Sequence, residues 1–314
     1  MREGAAIMLN VFTRFTPLLF LFYCALFWQG CNIINPHEQT PTYVHIDSFS
    51  FRTNPSVTLL KIDGSTSPEL ATVSHKVNTV LVYYNNNPIG IFDLPATFPV
   101  PASGSGSLKI APAIAVNGQN NMIAAYPFYT FDTSTLIANA GNVINHTPVS
   151  QFYSDVKVKC ISNFEGGGSN ATNFVLTEGN RVMQLDIDPA DVLEGNACGE
   201  IRLNAVGDSS IDSTAKSFTI PLGGTTFIEF DYKSTVPFYV GLQANLSATV
   251  SSAPYFLSGI NPSSGSGWQK FYLEIDGFIG KAQGSTYNFY IKAVLADGQT
   301  SGKLLIDNIQ LVTF

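Results

Sequence analysis

The stretch "WQKFYLEI", residues 268–275, alternates with a period of two. On a strand, Gln269, Phe271, Leu273 and Ile275 fall on one face, and Trp268, Lys270, Tyr272 and Glu274 on the other. The first set is the greasier and is expected to face a core. Trp268 and Tyr272 then point outward beside Lys270 and Glu274, with their rings roughly 13 Å apart. The same period governs "TTFIEFDYKS" (225–234), "FYVGLQANL" (238–246) and "TYNFYIKAVLA" (286–296), with Gly-rich turns between. Strands so patterned and so spaced suit a two-sheet sandwich.

Composition agrees. Charged residues make up 12% of the 314-residue chain, aromatics 12% and hydrophobic residues 45%, with 26 Gly and 17 Pro to supply turns. Low charge with many β-branched and aromatic residues points to an all-β protein. A net charge of −7 with no basic stripe excludes a nucleic-acid binder, which needs clustered Lys and Arg.

The N-terminal apolar run, residues 18–28, is too short for a membrane helix, which needs about 20 residues. Arg2 and Arg14 precede it, and Gly30-Cys31 closes it. A basic segment, a short apolar segment and a small residue before the cut make a secretory signal. Gly30-Cys31 resembles the lipobox of bacterial lipoproteins, although Trp28-Gln29 stands where Leu-Ala/Ser is usual. The resemblance implies a signal peptide over 1–30, acylation of Cys31 and a lipid anchor in the outer membrane or at the cell surface. Residues 31–43, polar and with two prolines, then read as a tether.

Of four cysteines, Cys24 lies in the signal and Cys31 is the lipid site, which leaves Cys160 and Cys198. In an oxidising compartment this pair is expected to form a disulfide. The alternative is two separate buried thiols. Their spacing fits no zinc pattern.

In "YVHIDSFSF" (43–51), Val44, Ile46, Phe49 and Phe51 take core positions. A hairpin follows over 80–92, turning at Asn85-Asn86-Asn87-Pro88. Residues 44–131 resemble the small Ig-like or PEGA-like modules of Bacteroidetes surface lipoproteins, which implies a spacer or binding platform. Residues 132–151, rich in Thr, Asn and Ala without a period, are expected to be a linker. In 152–314, the opening "NFEG" (163–166) and the closing "IDNIQLV" (306–312) resemble the first and last strands of carbohydrate-binding jelly rolls. That resemblance implies a structural calcium joining those strands, with Glu165 and Asp307 as ligands and carbonyls from 166–170. The alternative is that Glu165 accepts turn hydrogen bonds and Asp307 caps a bend.

"LEIDGFIG" (273–280) begins like the Glu-x-Asp-x-x-Glu strand of one jelly-roll glycosidase family, but Ile279 stands where the acid/base carboxyl belongs. No Gly-x-Ser-x-Gly elbow and no metal-spaced His or Cys pair is present. No enzyme activity is expected. Tyr232, Tyr239, Tyr255, Tyr287 and Tyr290 join Trp268 and Tyr272 in the second half. The site expected is a ligand surface of Trp268, Lys270, Tyr272 and Glu274 that stacks a glycan, unless Trp268 folds into the core. The function expected is non-catalytic binding of glycan at the cell envelope, the alternative being a structural or assembly subunit that binds an envelope protein.

Overall fold

A computed structural model of the chain describes residues 40–67, 72, 74–101, 104–165, 172–262 and 267–314. The signal, Cys31 and the tether up to residue 39 lie outside the described residues, as does the 166–170 loop. The first half holds β1 (Thr42–Ile46), β2 (Ser50–Phe51), β3 (Thr58–Leu60), β4 (Thr79–Tyr84), β5 (Asn87–Asp93), β6 (Ala96–Val100), β7 (Gly104–Ala115), β8 (Ile123–Ala125), β9 (Asp132–Ala138), β10 (Val143–Asn145) and β11 (Val149–Ser150). The second holds β12 (Lys157–Ser162), β13 (Phe174–Gly179), β14 (Gln184–Asp186), β15 (Cys198–Leu203), β16 (Ser209–Thr214), β17 (Thr226–Ser234), β18 (Phe238–Asn245), β19 (Tyr255–Ile260), β20 (Gln269–Glu274), β21 (Thr286–Val294) and β22 (Gly302–Thr313). A short helix, Asp276–Ala282, separates β20 from β21. The protein is all-β, as composition requires.

The second half is a two-sheet jelly-roll sandwich. One sheet runs β13-β16-β21-β18-β19; the other is built on β22, which pairs with β12, β15 and β17, with β20 beyond β17. Between the sheets lie Ile228, Phe230, Phe271, Leu273, Leu304 and Ile306 from one side, and Phe238, Val240, Leu242, Phe289 and Ile291 from the other. These are the alternate positions that the pattern assigns to the core. β22 is 12 residues long, so β12 and β15 fit end to end along it.

The first half departs from expectation in two places. The β4–β5 hairpin is there, and its turn is made by Asn85 and Asn86, at φ 49° and 65°, left-handed values that Asn tolerates. Residues 132–151, however, are not a linker. β9 pairs with β7, β10 with β1 and β11 with β2, so the segment completes the first half's sheets. β10 and β11, of three and two residues, are too short for a period to show, and β9, DTSTLIA, opens on four polar residues in a row. Nor do the halves part cleanly, because β3 adds to β12 as a parallel edge strand of the sandwich.

The first half lies on the outer face of the β22 sheet. Its core, with Val44, Ile46, Phe98, Tyr126 and Phe128, is continuous with Phe227, Tyr272 and Val312 of the sandwich. Both faces of β17 are buried in consequence: Phe230 lies in the sandwich core, while Glu229 and Asp231, 0% exposed, lie under the first half.

Candidate functional site

The covered sheet decides the fate of the expected ligand surface. Trp268, Lys270 and Tyr272 do occupy the face opposite Phe271 and Leu273, as alternation requires, but that face is not open to solvent. Trp268 is 8% exposed and packs on Cys198 and Leu305. Tyr272 is 4% exposed, its ring centroid 5.0 Å from that of Tyr126, and its hydroxyl donates to the His75 carbonyl. The Lys270 side chain is wholly buried, with Nζ 3.3 Å from Glu229 and 3.7 Å from Asp231. Burial opposes its charge, but the two carboxylates outweigh burial and hold its pKa above the ordinary value. Only Glu274 is exposed. These four residues form no open stacking platform; Tyr272 packs against the first half, while Trp268 and Lys270 are buried against residues of the sandwich itself.

The expected disulfide also stands corrected. Cys160 and Cys198 are free thiols, not a disulfide. Cys160 lies opposite Gln310 on β22, and the neighbour of Cys198, Gly199, lies opposite Ile306. That offset leaves the two cysteines roughly 10 Å apart along the sheet, beyond the ~7 Å Cα separation a disulfide spans. Burial pushes both thiols up to about 12, with Asp307 adding to the shift. Glu165 accepts hydrogen bonds from the Asn196 and Ala197 backbone amides at 2.8 and 3.2 Å. Asp307 accepts one from the Asn308 amide at 2.8 Å. Among the described residues no group of three or more His, Cys, Asp or Glu is placed to hold a metal ion. Asp276 opens the short helix instead of continuing β20, so it shares no strand face with Glu274.

The free face belongs to the other sheet. On β18, Phe238, Val240, Leu242 and Ala244 enter the core, which turns Tyr239, Gly241 and Gln243 outward. On β21, Tyr287, Phe289, Ile291 and Ala293 enter it, which turns Asn288, Tyr290 and Lys292 to the opposite face, where Asn288 and Lys292 are half-buried and Tyr290 is buried beside them. Register sets these residues in rows. Ser213, Tyr290, Gly241 and Phe256 form one; Ile211, Lys292, Tyr239 and Gly259 form the next. Gly259 makes room for an aromatic ring, since a Cβ there would stand 2.8 Å from the Tyr239 ring.

The resulting surface is aromatic with one cation beside it. Tyr239 is 39% exposed and meets Phe256 edge to face, with ring centroids 6.4 Å apart at 70°. Lys292 Nζ lies 5.9 Å from the Tyr239 ring and 6.0 Å from that of Phe256, within cation–π range. The Tyr290 hydroxyl donates to Gln243 Oε1 at 3.0 Å, and the Gln243 amide donates to the Ser252 carbonyl at 2.8 Å, so the flanking polar groups are held in place. This arrangement offers flat apolar faces, an ammonium group and no nucleophile paired with a base. The signal for it was in the sequence: alternation on 238–245 and 286–294 turns Tyr239 and Lys292 outward as plainly as it turns Trp268.

No protein-family model matches the chain, and no curated protein matches it. Among solved structures, the family 11 carbohydrate-binding module of a Clostridium thermocellum cellulosomal cellulase is 17% identical with a TM-score of 0.34, covering 50% of this chain and 95% of that one. A xylan-binding domain from Paenibacillus barcinonensis is 12% identical with a TM-score of 0.34, covering 49% of this chain and 98% of that one. The enzymatically active domain of a bacteriophage CBA120 tailspike protein is 13% identical with a TM-score of 0.35; the chain covers 26% of its length. Likenesses of this strength carry no argument about what the chain binds.

Proposed function

We propose that the protein is a non-catalytic envelope lipoprotein that binds glycan on the outer face of the β13-β16-β21-β18-β19 sheet. The observation that supports this is the Tyr239–Phe256–Lys292 surface, with Tyr239 exposed and Phe256 and Lys292 half-buried, on the sandwich face that the first half leaves free. Ligand sites are mostly apolar and aromatic with a few placed polar groups. A pyranose presents that complement, with C–H bonds on its faces and hydroxyls around its rim. Tyr239 and Phe256 take the faces, while Lys292 reaches ring or hydroxyl oxygens. Cys31 carries the acyl chains; two or more anchor a protein stably where one does not. Affinity electrophoresis of the intact protein in gels containing soluble polysaccharides tests the reading. At least one polysaccharide should retard the wild type, and Tyr239→Ala should run unretarded. Equal retardation of the two proteins would overturn this face as the site. Loss of an envelope-protein partner from Tyr239→Ala, with no polysaccharide bound by the wild type, would make the face a docking surface for an assembly subunit.

A further inference from the structure

At the edge of the covered face, where first half and sandwich meet, a cavity of about 320 Å³ remains open. One wall is a continuous row of rings. His75 stands edge-on to Phe51 at 3.9 Å, Phe51 lies 4.7 Å from Tyr129, and Tyr129 lies 4.7 Å from Phe152. The two carboxylates behind the cavity already have partners. The Ser74 hydroxyl donates to Asp231 at 2.6 Å, Gln310 donates to Glu229 at 2.9 Å, and Lys270 stands between the two carboxylates. Burial, and after it the Lys270 charge, lowers the His75 pKa to about 4, so its imidazole is neutral at physiological pH. Among the described residues the Arg52 guanidinium, the Gln151 side-chain amide and the His75 ring nitrogens have no hydrogen-bond partner, and all three residues line the cavity.

We propose that this cleft is a second ligand site, distinct from the sheet face, which takes one neutral sugar unit. Pockets that hold small ligands begin near about 300 Å³, so the cavity admits one or two rings and no long chain. The ring row supplies an apolar wall for one sugar face. The free amide, imidazole and guanidinium supply hydrogen-bond partners for hydroxyls. The carboxylates behind the wall are held by Lys270, Ser74 and Gln310, and the one unpaired charge among the described residues lining the cavity, the Arg52 guanidinium, is exposed to solvent, so no buried ionic group is free to draw a charged ligand inward. A sheet face that lies flat along a polymer and a cleft that closes on a single unit would give the protein two grips on one glycan. The cleft assignment stands on its own geometry, whether or not the sheet face binds polysaccharide.

Saturation-transfer NMR on the intact protein tests it with methyl glucoside, galactoside, mannoside and xyloside, alongside glucuronic acid and glucosamine as charged probes. At least one neutral glycoside should receive saturation. Phe51→Ala should weaken that binding roughly tenfold, as expected for loss of one stacking ring. Thr53→Trp, an exposed rim position, should abolish it by filling the mouth, and it decides the matter if Phe51→Ala does not fold. Tyr239→Ala should leave it unchanged, which separates this site from the sheet face. The proposal is overturned if no neutral glycoside binds, if only the charged sugars do, or if Thr53→Trp binds as the wild type.

Discussion

Asp307 is a buried carboxyl among other carboxylates. It is 1% exposed, lies opposite Asp231 in the β17–β22 ladder, and one of its carboxyl oxygens has no hydrogen-bond partner. Burial pushes its pKa to about 8, with the Asp231 and Glu194 carboxylates adding to the shift. A carboxyl raised in the fold binds more protons folded than unfolded between its ordinary value, near 3.9, and about 8. Its contribution is therefore complete at low pH and is lost as pH rises through that window. His75 has the opposite sign. Its pKa is lowered from 6.5 to about 4, so stability is lost as pH falls through that range. Above pH 6.5 Asp307 acts without it. The melting temperature should fall between pH 6.5 and 8, and Asp307→Asn, which keeps the shape of the protonated acid, should flatten that fall. An unchanged slope in the variant would show that Asp307 ionises freely. The two thiols give a second test at this scale. Held at about 12 by burial, Cys160 and Cys198 should resist iodoacetamide at pH 8 in the folded protein and react fully in urea. Peptide mass spectrometry reads both, and rapid native alkylation of either would contradict its burial.

At the scale of the element, β18 and β20 make an instructive pair. Both alternate cleanly, and in both the greasier positions enter the same core. The periodicity of one strand assigns side chains to two faces but carries no information on what covers each face. β20 lies in the sheet that the first half covers, so Tyr272 and Lys270 are buried; β18 lies in the free sheet, so Tyr239 is open. The strands, the all-β class and the Asn-rich hairpin turn were therefore legible, because each follows from local pattern or turn chemistry. The choice of face was not, because it depends on contacts between residues such as Tyr126 and Tyr272, far apart in the chain. The missing disulfide has the same origin, since only the sheet register sets Cys160 and Cys198 apart. Mutation should separate the two strands. Trp268→Ala should destabilise the protein by about 3–5 kcal/mol, the usual range for truncating a buried tryptophan. Tyr239→Ala should change stability by less than about 1 kcal/mol, as at other exposed strand positions. Urea titration of both variants checks this, and equal losses would show that Tyr239 is structural too.

For the whole molecule, the interface between the halves sets the folding unit. The outer face of the β22 sheet carries Phe227, Tyr272 and Val312, buried in the first half's core, and the Lys270–Glu229 pair with both side chains at 0% exposure. β3 covers the edge of β12, and Lys270, Glu229 and Asp231 find their neutralising partners and the Tyr126, Gln310 and Ser74 hydrogen bonds in one layer between the halves. A fragment of residues 152–314 would keep its own two-sheet core but lose that layer. It would expose a contiguous apolar patch of the kind that drives association and leave the edge of β12 unpaired. The full described body should therefore melt in one cooperative transition, with calorimetric and van't Hoff enthalpies equal, the signature of a two-state unit. The 152–314 fragment should express as aggregate, or as a species that binds a hydrophobic dye and melts well below the intact protein. Two separate calorimetric transitions, or a monomeric fragment melting at the temperature of the whole, would show that the halves fold independently. In that case the burial of Tyr272 would reflect docking after folding and not a shared core, and loss of the first half would turn its face outward to solvent.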